Sequence, residues 1–463
     1  MVDSGGPFDV VVLGGGSGGY ACALRAAELG MRVALIERDT LGGTCLNRGC
    51  IPTKALLHAA EVAETARRAA RFGVRASFEG VDMPAVHAYK DKVVSGTVKG
   101  LTGLLRAKGV TIVEGEGRLA GPTAVQVATP AGPVRCEGRH LVLATGSAPR
   151  SLPGLPVDGE RVIFSDQALT LQRVPASVIV LGGGVIGVEF ASIWRSFGAE
   201  VTIVEALPHL LPMEEPSSSR RLERAFRKRG IAFELGARVE GVKTTEIGVT
   251  VTLAGGRTLA AELLLVAVGR APCSAGLGLA EAGVRTERGF VEVDRYCRTS
   301  VPTISAVGDL IATPQLAHVG FAEGILVAER LGGLSPAPID YDGVPRIAYC
   351  DPEVASVGLT SAQAAERGHQ IMQVTYDLAG NPKSKILGTQ GEVKVIAERG
   401  GRVLGIHMVG ARVGELITEG QLIYNWEALP SEVAQLIHPH PTQSEAVGEA
   451  HLALAGKPLH VHG

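Results

Sequence analysis

The sequence predicts an α/β protein with two similar α/β units followed by a C-terminal α+β domain. Three observations lead to this prediction: a glycine-rich strand–turn–helix pattern near the N-terminus, a second copy of that pattern in mid-chain, and mixed strands and helices after residue 345. With 463 residues the chain exceeds what a single hydrophobic core supports, so we expect three or four domains. Its content of 46% hydrophobic and 20% charged residues is ordinary for a soluble globular protein.

Charge and hydropathy argue against several classes of function. The formal net charge is −2 and no long basic run occurs, so a nucleic acid partner is not expected. No stretch reaches the roughly 18 consecutive apolar residues of a membrane span. The segment before residue 10 lacks a basic region followed by an apolar core, so we expect a cytoplasmic protein without a secretory signal.

The first unit begins with an apolar run at residues 10–13, which predicts a buried parallel strand. A glycine-rich turn and an alanine-rich helix at residues 20–29 follow, and a second strand closes on Glu37. Glycines in this context let the backbone approach a pyrophosphate at a helix N-terminus, and Glu37 is placed to accept from ribose hydroxyls. The pattern predicts a Rossmann-like dinucleotide-binding unit. Its glycines are Gly14, Gly16 and Gly19.

The same order of features returns in mid-chain at a constant offset from the first copy. An apolar strand at residues 178–181 leads into a glycine-rich turn, a helix that ends near Gly198, and a strand that closes on Glu205. This copy predicts a second dinucleotide-binding unit. A carboxylate at Glu205 suits free ribose hydroxyls and repels a 2′-phosphate, which favours NAD over NADP. The glycines of the second turn are Gly182, Gly184 and Gly187.

Shortly after Glu37, Cys45 and Cys50 occur with four residues between them. A disulfide across so small a loop would stabilise the fold by only about 2 kcal/mol, which is little for a structural staple. Five steps of an ideal helix separate Cα atoms by roughly 8–9 Å, whereas bridged pairs need less than about 7 Å. We therefore expect a distorted turn in which Gly49 and Pro52 supply the irregularity.

Taken alone, the cysteine pair allows two interpretations: a strained disulfide suited to thiol exchange, or two buried thiols that are neighbours by chance. The seven cysteines are scattered and only this pair is close in sequence, which fits a reducing compartment with one working pair. No second cysteine or histidine pair has zinc-ligand spacing, so no metal site is predicted.

The remaining pattern predicts a helix over about residues 52–72, another over about 83–108, and a β-rich section at 110–142. A later strand ends at Asp309 and places a carboxylate at the edge of a sheet, although such an aspartate is commonly turn-forming. Near the C-terminus, His440 and Glu445 could act as a base and its orienting carboxylate. Ordinary surface residues are the alternative interpretation.

Together these motifs resemble the pyridine nucleotide–disulfide oxidoreductases over nearly the whole chain, and within that family the enzymes that oxidise dihydrolipoamide. The resemblance rests on the two dinucleotide fingerprints, on Gly-Gly-Thr-Cys-x4-Cys-Ile-Pro-x-Lys ending at Lys54, and on His-x-His-Pro-Thr-x-Ser-Glu ending at Glu445. It implies four domains, which are an FAD-binding domain (1–148), an NAD-binding domain (149–275), a central domain completing the FAD site (276–343), and an interface domain for dimerisation (344–463).

The resemblance also implies which residues bind the cofactors FAD and NAD. It places Lys54 near the flavin, paired with Glu189, and it places Asp309 at the ribityl chain. The implied FAD residues are Gly14, Gly16, Gly19, Glu37, Gly43, Thr44, Lys54, Gly117, Thr145, Gly146, Asp309, Ala317 and His318. The implied NAD residues are Gly182, Gly184, Gly187, Glu189, Glu205 and Gly269.

For catalysis, the resemblance implies that Cys45 faces the substrate and Cys50 faces the flavin. His440, supported by Glu445, would act as the base on the disulfide of the other subunit of a homodimer. The peptide bond between His440 and Pro441 is typically cis in the family, which makes it a candidate here. Three residues depart from the usual motifs, and they bear on the substrate channel and not on the chemistry. They are Arg48, Thr53 and Gln443.

The implied activity is the oxidation of protein-bound dihydrolipoamide by NAD⁺ through FAD. Its partners would be the lipoyl domain and acyltransferase core of a 2-oxoacid dehydrogenase complex, or the lipoyl carrier of glycine cleavage. One alternative is a related NAD(P)H-dependent reductase of another low-molecular-weight disulfide. A nucleotide-sensing flavoprotein scaffold is the other alternative, and such a scaffold has no need of a dithiol and a base.

Overall fold

The computed structural model of this chain describes residues 6–460. The strands, in chain order, are β1 Phe8–Leu13, β2 Val33–Glu37, β3 Thr111–Glu114, β4 Glu116–Leu119, β5 Ala124–Thr129, β6 Gly132–Leu143, β7 Ser147–Pro149, β8 Val162–Ile163, β9 Ser177–Leu181, β10 Glu200–Glu205, β11 Ile231–Leu235, β12 Val239–Thr245, β13 Gly248–Leu253, β14 Thr258–Ala261, β15 Leu263–Val266, β16 Arg270–Pro272, β17 Thr286–Glu287, β18 Phe290–Val291, β19 Ile304–Ala306, β20 Arg346–Ala348, β21 Glu353–Gly358, β22 Ile371–Asp377, β23 Glu392–Glu398 and β24 Val403–Gly410.

The α-helices are α1 Ser17–Glu28, α2 Gly43–Arg48, α3 Cys50–Arg68, α4 Met83–Ala107, α5 Ser165–Ala168, α6 Val185–Phe197, α7 Pro216–Arg229, α8 Ala317–Leu331, α9 Ser361–Glu366, α10 Pro382–Leu387, α11 Val413–Asn425, α12 Pro430–Val433 and α13 Glu445–Leu454. Short 3₁₀ helices lie at Ala69–Phe72, Gly308–Leu310 and Leu378–Gly380. Within residues 6–460, no helix has both the length and the apolar character required to cross a lipid bilayer.

The first compact unit comprises the residues up to Ala55 together with Ala85–Arg150 and Arg270–Tyr341. Its main sheet has the strand order β3-β2-β1-β6-β5-β4, and β19 also pairs with β6. β1 runs parallel to both β2 and β6, whereas β4 and β5 extend the sheet in antiparallel pairing. The carboxyl ends of the parallel strands therefore meet at one edge, where the first glycine-rich turn lies.

The second compact unit comprises Leu56–Pro84, Ser151–Gly269 and the residues from Asp342 onward. A parallel sheet of order β11-β10-β9-β15-β8 repeats the nucleotide-binding plan. Between β11 and β15 in the sequence, β12, β13 and β14 form a small antiparallel sheet. The antiparallel sheet β20-β21-β24-β23-β22 packs against α11 and α13. This packing fixes the C-terminal helix that follows the predicted base motif.

A buried ion pair ties two parts of the second unit together. Lys394 Nζ on β23 lies 2.7 Å from Glu215 Oε1, just before α7, and both side chains are buried. Glu215 also accepts from the Ser361 backbone amide at 2.9 Å. A buried charge requires such partners, because desolvation of an unpaired ion costs several kcal/mol.

The two long helices follow the predicted order, with one correction at the cysteine motif. α3 begins at Cys50, so Pro52 lies in its first turn, where the missing N–H breaks no hydrogen bond. The expectation that Pro52 distorts the chain is wrong. Gly49 alone separates α2 from α3, with φ −141° and ψ −113°. The finer division into four domains remains a prediction.

Candidate functional site

The first glycine-rich turn brings the start of α1 directly against the end of β1. Gly14 has φ +107°, and a Cβ at this position would lie 2.3 Å from the Ala144 carbonyl oxygen. A Cβ at Gly19 would lie 1.8 Å from the Gly14 carbonyl oxygen. Neither position tolerates a side chain, because these contacts are with backbone atoms that cannot move aside.

The Glu37 carboxylate is held by backbone amides at the carboxyl end of β2. Gly15 N–H donates to Oε2 at 2.7 Å and Asp39 N–H donates to Oε1 at 2.8 Å. Burial raises the pKa of Glu37, while the backbone amides of Gly15 and Arg38 and the positive charge of Arg38 act in the opposite direction. The carboxylate is therefore fixed beside the glycine-rich turn, where the sequence predicts ribose recognition.

The second turn reproduces this geometry. Gly182 has φ +111°, and an added Cβ would lie 2.4 Å from the Ala267 carbonyl oxygen. Glu205 accepts from Gly183 N–H at 2.6 Å and from Leu207 N–H at 2.8 Å. The repeat seen in the sequence therefore extends to individual hydrogen bonds.

The cysteine pair lies where two helices meet. Cys45 is on α2, Cys50 opens α3, and a Cβ at Gly49 would lie 2.8 Å from the Thr44 carbonyl oxygen. Both cysteines are thiols whose side chains are joined by a hydrogen bond. That hydrogen bond and burial raise the pKa of Cys45, while the positive charge of Lys54 acts in the opposite direction.

Tyr20 on α1 is a neighbour of this pair that the sequence did not indicate. Burial, followed by the negative charge of Cys45 and Cys50 as thiolates, raises the pKa of Tyr20 to about 12. Its ring also contacts Phe321, with 5.5 Å between ring centroids. The phenol therefore stays protonated beside the thiols and contributes no negative charge there.

The C-terminal motif places an imidazole against a carboxylate. His440 Nδ1 lies 2.8 Å from Glu445 Oε1, and Glu445 Oε2 accepts from Thr442 N–H at 2.8 Å. Burial raises the pKa of Glu445, but the Thr442 amide and His440 outweigh it and hold the pKa below its usual range. The His440 side chain is 67% exposed. Because Nδ1 is engaged, Nε2 is the nitrogen left to exchange a proton.

One further prediction about this motif can be compared with the structure. The bond between His440 and Pro441 is cis, which confirms the expectation for it. His438 and His440 do not share a partner, because His438 Nε2 binds Glu419 at 2.8 Å. Among the residues the structure describes, no group of three or more His, Cys, Asp or Glu side chains could hold a metal ion.

Comparison with known proteins identifies the family. The family model described as pyridine nucleotide-disulphide oxidoreductase matches residues 8–324, and the dimerisation domain model of the same family matches residues 344–451. The chain belongs to this family. It is an FAD- and NAD-dependent disulfide oxidoreductase with mixed α/β architecture.

Individual relatives of this oxidoreductase cover nearly its whole length. It is 40% identical over 471 residues to a dihydrolipoyl dehydrogenase of Bacillus subtilis, covering 98% of this chain and 99% of that protein. The solved structure of LpdA from Mycobacterium tuberculosis has a TM-score of 0.90 at 29% identity, covering 96% and 99% of the two chains. A Cu(II) complex of the HOCl-induced flavoprotein disulfide reductase RclA from Escherichia coli has a TM-score of 0.87 at 29% identity, covering 97% and 100%.

The residues of this oxidoreductase fit FAD at the first turn. Gly16 is the N-cap of α1, and a Cβ there would meet only the Gly43 Cα, at 3.9 Å. Cβ atoms at Gly146 and Gly308 would meet no atom within 4 Å. The amides at the start of α1 therefore face open space that suits a pyrophosphate. Gly184, the N-cap of α6, is equally open and suits NAD.

A hydrogen-bonded chain links Asp309 and Thr44, two of the predicted FAD residues. Ser147 Oγ donates to Asp309 Oδ2 at 2.5 Å, and Arg270 Nε donates to Ser147 Oγ at 2.7 Å. Arg270 Nη2 also lies 3.5 Å from Thr44 Oγ1, next to the cysteine pair. Thr145 Oγ1 donates to the Cys273 carbonyl oxygen at 2.8 Å. Sequence reasoning missed Arg270, although it directly follows the predicted Gly269.

Glu323 on α8 is a second residue that sequence reasoning missed. It is fully buried and accepts from Gly308 N–H at 2.6 Å, Thr313 Oγ1 at 2.8 Å and Tyr341 OH at 2.9 Å. The bond to Gly308 holds the turn that carries Asp309. A carboxylate within the apolar stretch of α8 was the signal that could have revealed it.

The other predicted residues have varied surroundings. A Cβ at Gly117 would lie 2.5 Å from the Leu13 side chain, so this glycine allows close packing in the core. Ala317 and His318 open α8, and Gly43 packs against Gly16. Glu189 on α6 is buried and accepts from the Tyr349 amide at 3.0 Å. Its pairing with Lys54 remains a prediction.

The three departures from the family motif are accommodated locally. Arg48 forms an ion pair with Asp39, and both side chains are about half exposed. Thr53 Oγ1 donates to the Gly49 carbonyl oxygen at 2.6 Å, which closes the break between α2 and α3. Gln443 is buried, and its carbonyl oxygen accepts from Ala446 N–H at 3.1 Å.

Proposed function

We propose that this oxidoreductase oxidises protein-bound dihydrolipoamide to lipoamide with NAD⁺ as the acceptor. The observation that carries the proposal is that the chain has both a base and a dithiol. The base is His440, held by Glu445 at 2.8 Å, and the two sulfurs of the dithiol share a hydrogen bond. Full-length similarity to a dihydrolipoyl dehydrogenase of Bacillus subtilis, at 40% identity, supports the choice of substrate. A thiol substrate needs a base because the thiolate is the nucleophile.

The protein's part in the reaction starts with proton transfer. His440 Nε2 takes the proton of one dihydrolipoyl thiol, while Glu445 holds Nδ1–H and stabilises the resulting imidazolium. The substrate thiolate attacks Cys45 Sγ of the oxidised pair, which breaks the Cys45–Cys50 bond and leaves Cys50 as a thiolate. The second substrate thiol then displaces Cys45 from the mixed disulfide, and its proton passes to the departing Cys45 sulfur. Lipoamide leaves, and the pair has gained two electrons.

The reduced pair seen in the structure supports unequal roles for the two sulfurs. The hydrogen bond to Cys50 and burial both raise the pKa of Cys45. We propose that Cys45 exchanges with the substrate and that Cys50 is the sulfur that faces the flavin. FAD, when bound, supplies the route by which the electron pair passes from the dithiol to NAD⁺. The chain's own contribution is to position the dithiol and the two nucleotides.

We further propose that the enzyme works as a homodimer. The family's dimerisation domain matches residues 344–451 and contains both His440 and Glu445. The exposed His440 ring supports a role at a second chain, as the family resemblance implies. Each complete site would then combine the base of one chain with the cysteine pair of its partner.

The same proposal names the partners and the location. A protein-bound lipoyl group is part of its carrier, so we propose as partners the lipoyl domain and acyltransferase core of a 2-oxoacid dehydrogenase complex, or the lipoyl carrier of glycine cleavage, in the cytoplasm. The proposed cofactor residues are those of the two turns, together with Asp309 and the cysteine motif. Glu205, held by two amides, supports the preference for NAD.

An anaerobic titration tests this function. The purified flavoprotein is mixed with dihydrolipoamide and then with NAD⁺, and NADH is followed by its absorbance. We expect one NADH for each equivalent of dihydrolipoamide consumed. Failure to form NADH, with NADH-driven reduction of another low-molecular-weight disulfide instead, would favour the related reductase. A protein that neither oxidises dihydrolipoamide nor reduces any disulfide would be a scaffold.

A further inference from the structure

A second histidine–carboxylate pair lies two residues before the proposed base. His438 Nε2 lies 2.8 Å from Glu419 Oε1, and Glu419 belongs to α11. The His438 side chain is 12% exposed, whereas the His440 side chain is 67% exposed. The two histidines of the motif therefore occupy different environments and serve different carboxylates.

Neighbours from α11, from α13 and from the preceding backbone hold the His438 ring. A Cβ at Gly448 on α13 would lie 2.5 Å from His438 Nδ1, so the absence of a side chain at this position admits the ring. The ring also makes a hydrogen bond to the backbone of Leu436. The hydrogen bond to Glu419 is the largest influence, and it raises the pKa of His438 despite burial. The ring is thus stabilised as an imidazolium between α11 and α13.

His438 is close in sequence to the proposed base and also interacts electrostatically with charged groups around it. They are Glu419 from α11, and Glu445 and His451 from α13. His451 is buried and its Nδ1 lies 2.6 Å from the Val447 carbonyl oxygen. Burial raises the pKa of Glu445, but the positive charge of His438 is among the groups that together hold it below its usual range.

We propose that His438 and Glu419 are positioning residues for the base, because they clamp the segment that carries His440 between α11 and α13. Pro439 alone separates the two histidines, so a fixed His438 ring restricts where the His440 ring can lie. This inference rests on the proposed role of His440 in dihydrolipoamide oxidation. Orientation of a catalytic group matters because small misplacements cost large factors in rate.

The experiment compares H438Q, E419Q and the double variant with the wild-type dimeric, FAD-loaded enzyme. We expect each single variant to lower kcat for dihydrolipoamide oxidation by about tenfold through a less well oriented base. The double variant should be no slower than either single variant, since the two residues act as a unit. Replacement of His438 removes a positive charge near the His440–Glu445 pair, which makes protonation of that pair easier. The acid limb of the pH profile of kcat/KM should therefore move to higher pH.

His369 provides a matched control. It forms a similar pair with Glu398 at 3.2 Å, which joins the turn before β22 to the end of β23 and contains no residue of the base motif. H369Q should leave kcat and the acid limb unchanged. Flavin content and the mass of the dimer, measured for every variant, give the rate per loaded enzyme.

Two outcomes overturn the inference. One is an H438Q enzyme whose rate per bound flavin and whose pH profile both match those of the wild type. The other is a loss of rate that follows only the loss of flavin or dimer, with an unchanged pH profile, because that result indicates a merely structural role. H440Q separates this inference from the proposed function: if H440Q keeps full turnover, the proposed base is wrong, whatever His438 does.

Discussion

At the scale of single residues, the chemistry depends on two pairs of side chains. The Cys45 and Cys50 thiols share a hydrogen bond, and His440 lies 2.8 Å from Glu445. Burial and that hydrogen bond raise the pKa of Cys45, so its reactivity requires the oxidised pair or an external base. In the proposed mechanism the cysteines therefore carry electrons and His440 moves the proton.

Replacement of either cysteine by serine should abolish lipoamide turnover. In Cys45→Ser or Cys50→Ser the disulfide cannot form, while the glycine turn and Glu37, which we propose to bind FAD, are untouched. Steady-state NADH formation and flavin absorbance measure the two properties separately. Cys273→Ser is a matched control, because Cys273 contacts Thr145 through its backbone carbonyl. Full activity in either serine variant would refute the assignment.

His440→Gln should lower kcat for dihydrolipoamide oxidation by about 10²–10⁴, the usual range for loss of a general base. Glutamine retains a polar side chain near Glu445 but cannot take the thiol proton at neutral pH. Pre-steady-state reduction of the bound flavin by dihydrolipoamide reports this step directly. An unchanged rate of flavin reduction would exclude His440 as the base.

Glu205→Gln should weaken discrimination against NADP. The carboxylate is buried and oriented by the amides of Gly183 and Leu207, beside the turn where we propose that the adenosine ribose of NAD lies. Removal of that charge lessens repulsion of a 2′-phosphate. The ratio of kcat/KM for NAD⁺ to that for NADP⁺ measures the effect, and an unaltered ratio would contradict our account of nucleotide choice.

At the scale of elements, the local sequence predicts the structure of both nucleotide-binding turns. It predicts the structure of the turn at the cysteine pair only in part. The strand–glycine–helix order predicted both turns, because glycine is required where φ is positive and backbones touch. The break between α2 and α3 was expected from helix spacing, but its location at Gly49 alone was not. Proline disrupts a helix interior and not its first turn, so Pro52 is accommodated in α3.

Gly182→Ala should raise the KM for NAD⁺ steeply while FAD stays bound. The added Cβ would lie 2.4 Å from the Ala267 carbonyl oxygen and would displace the turn at the start of α6. Gly198→Ala is a matched control with φ +113° and open space around the new Cβ. It should cost about 1 kcal/mol of stability and leave NAD⁺ binding intact. Equal effects of both substitutions on KM would contradict the steric argument.

At the scale of the whole molecule, the chain has two compact units, and the dimerisation domain matched at residues 344–451 belongs to the second of them. Buried polar groups support the second unit, including the Lys394–Glu215 ion pair and the fully buried His451. Such groups make the stability of the domain depend on pH, because an uncompensated buried charge is costly. We therefore expect the second unit, which carries the proposed base, to lose stability in acid.

His451 should make the enzyme less stable as pH falls from about 6.5 to about 4. Burial lowers the pKa of His451 from 6.5 to about 4, so in this range the unfolded chain binds a proton that the folded chain does not. The full shift corresponds to roughly 3 kcal/mol. His451→Phe should show a shallower fall of unfolding temperature with acid, whereas His58→Gln, on an exposed helix face, should match the wild type. Parallel acid dependence in His451→Phe would contradict this.

The sequence by itself determined the two dinucleotide-binding turns, the cysteine pair and the His440–Glu445 pair. These features are local, since each depends on residues a few positions apart whose geometry follows from a strand, a turn or a helix start. The family comparison agrees with that prediction over residues 8–324 and 344–451.

Only the tertiary structure decided how these features are supported. Glu323 at Gly308, Arg270 at Ser147 and Glu419 at His438 are contacts between residues that lie well apart in the chain. Burial of a carboxylate or an imidazole depends on which elements pack together, and a linear pattern does not specify that packing. The positions of the reactive groups were thus readable from sequence, whereas the contacts that orient them required the fold.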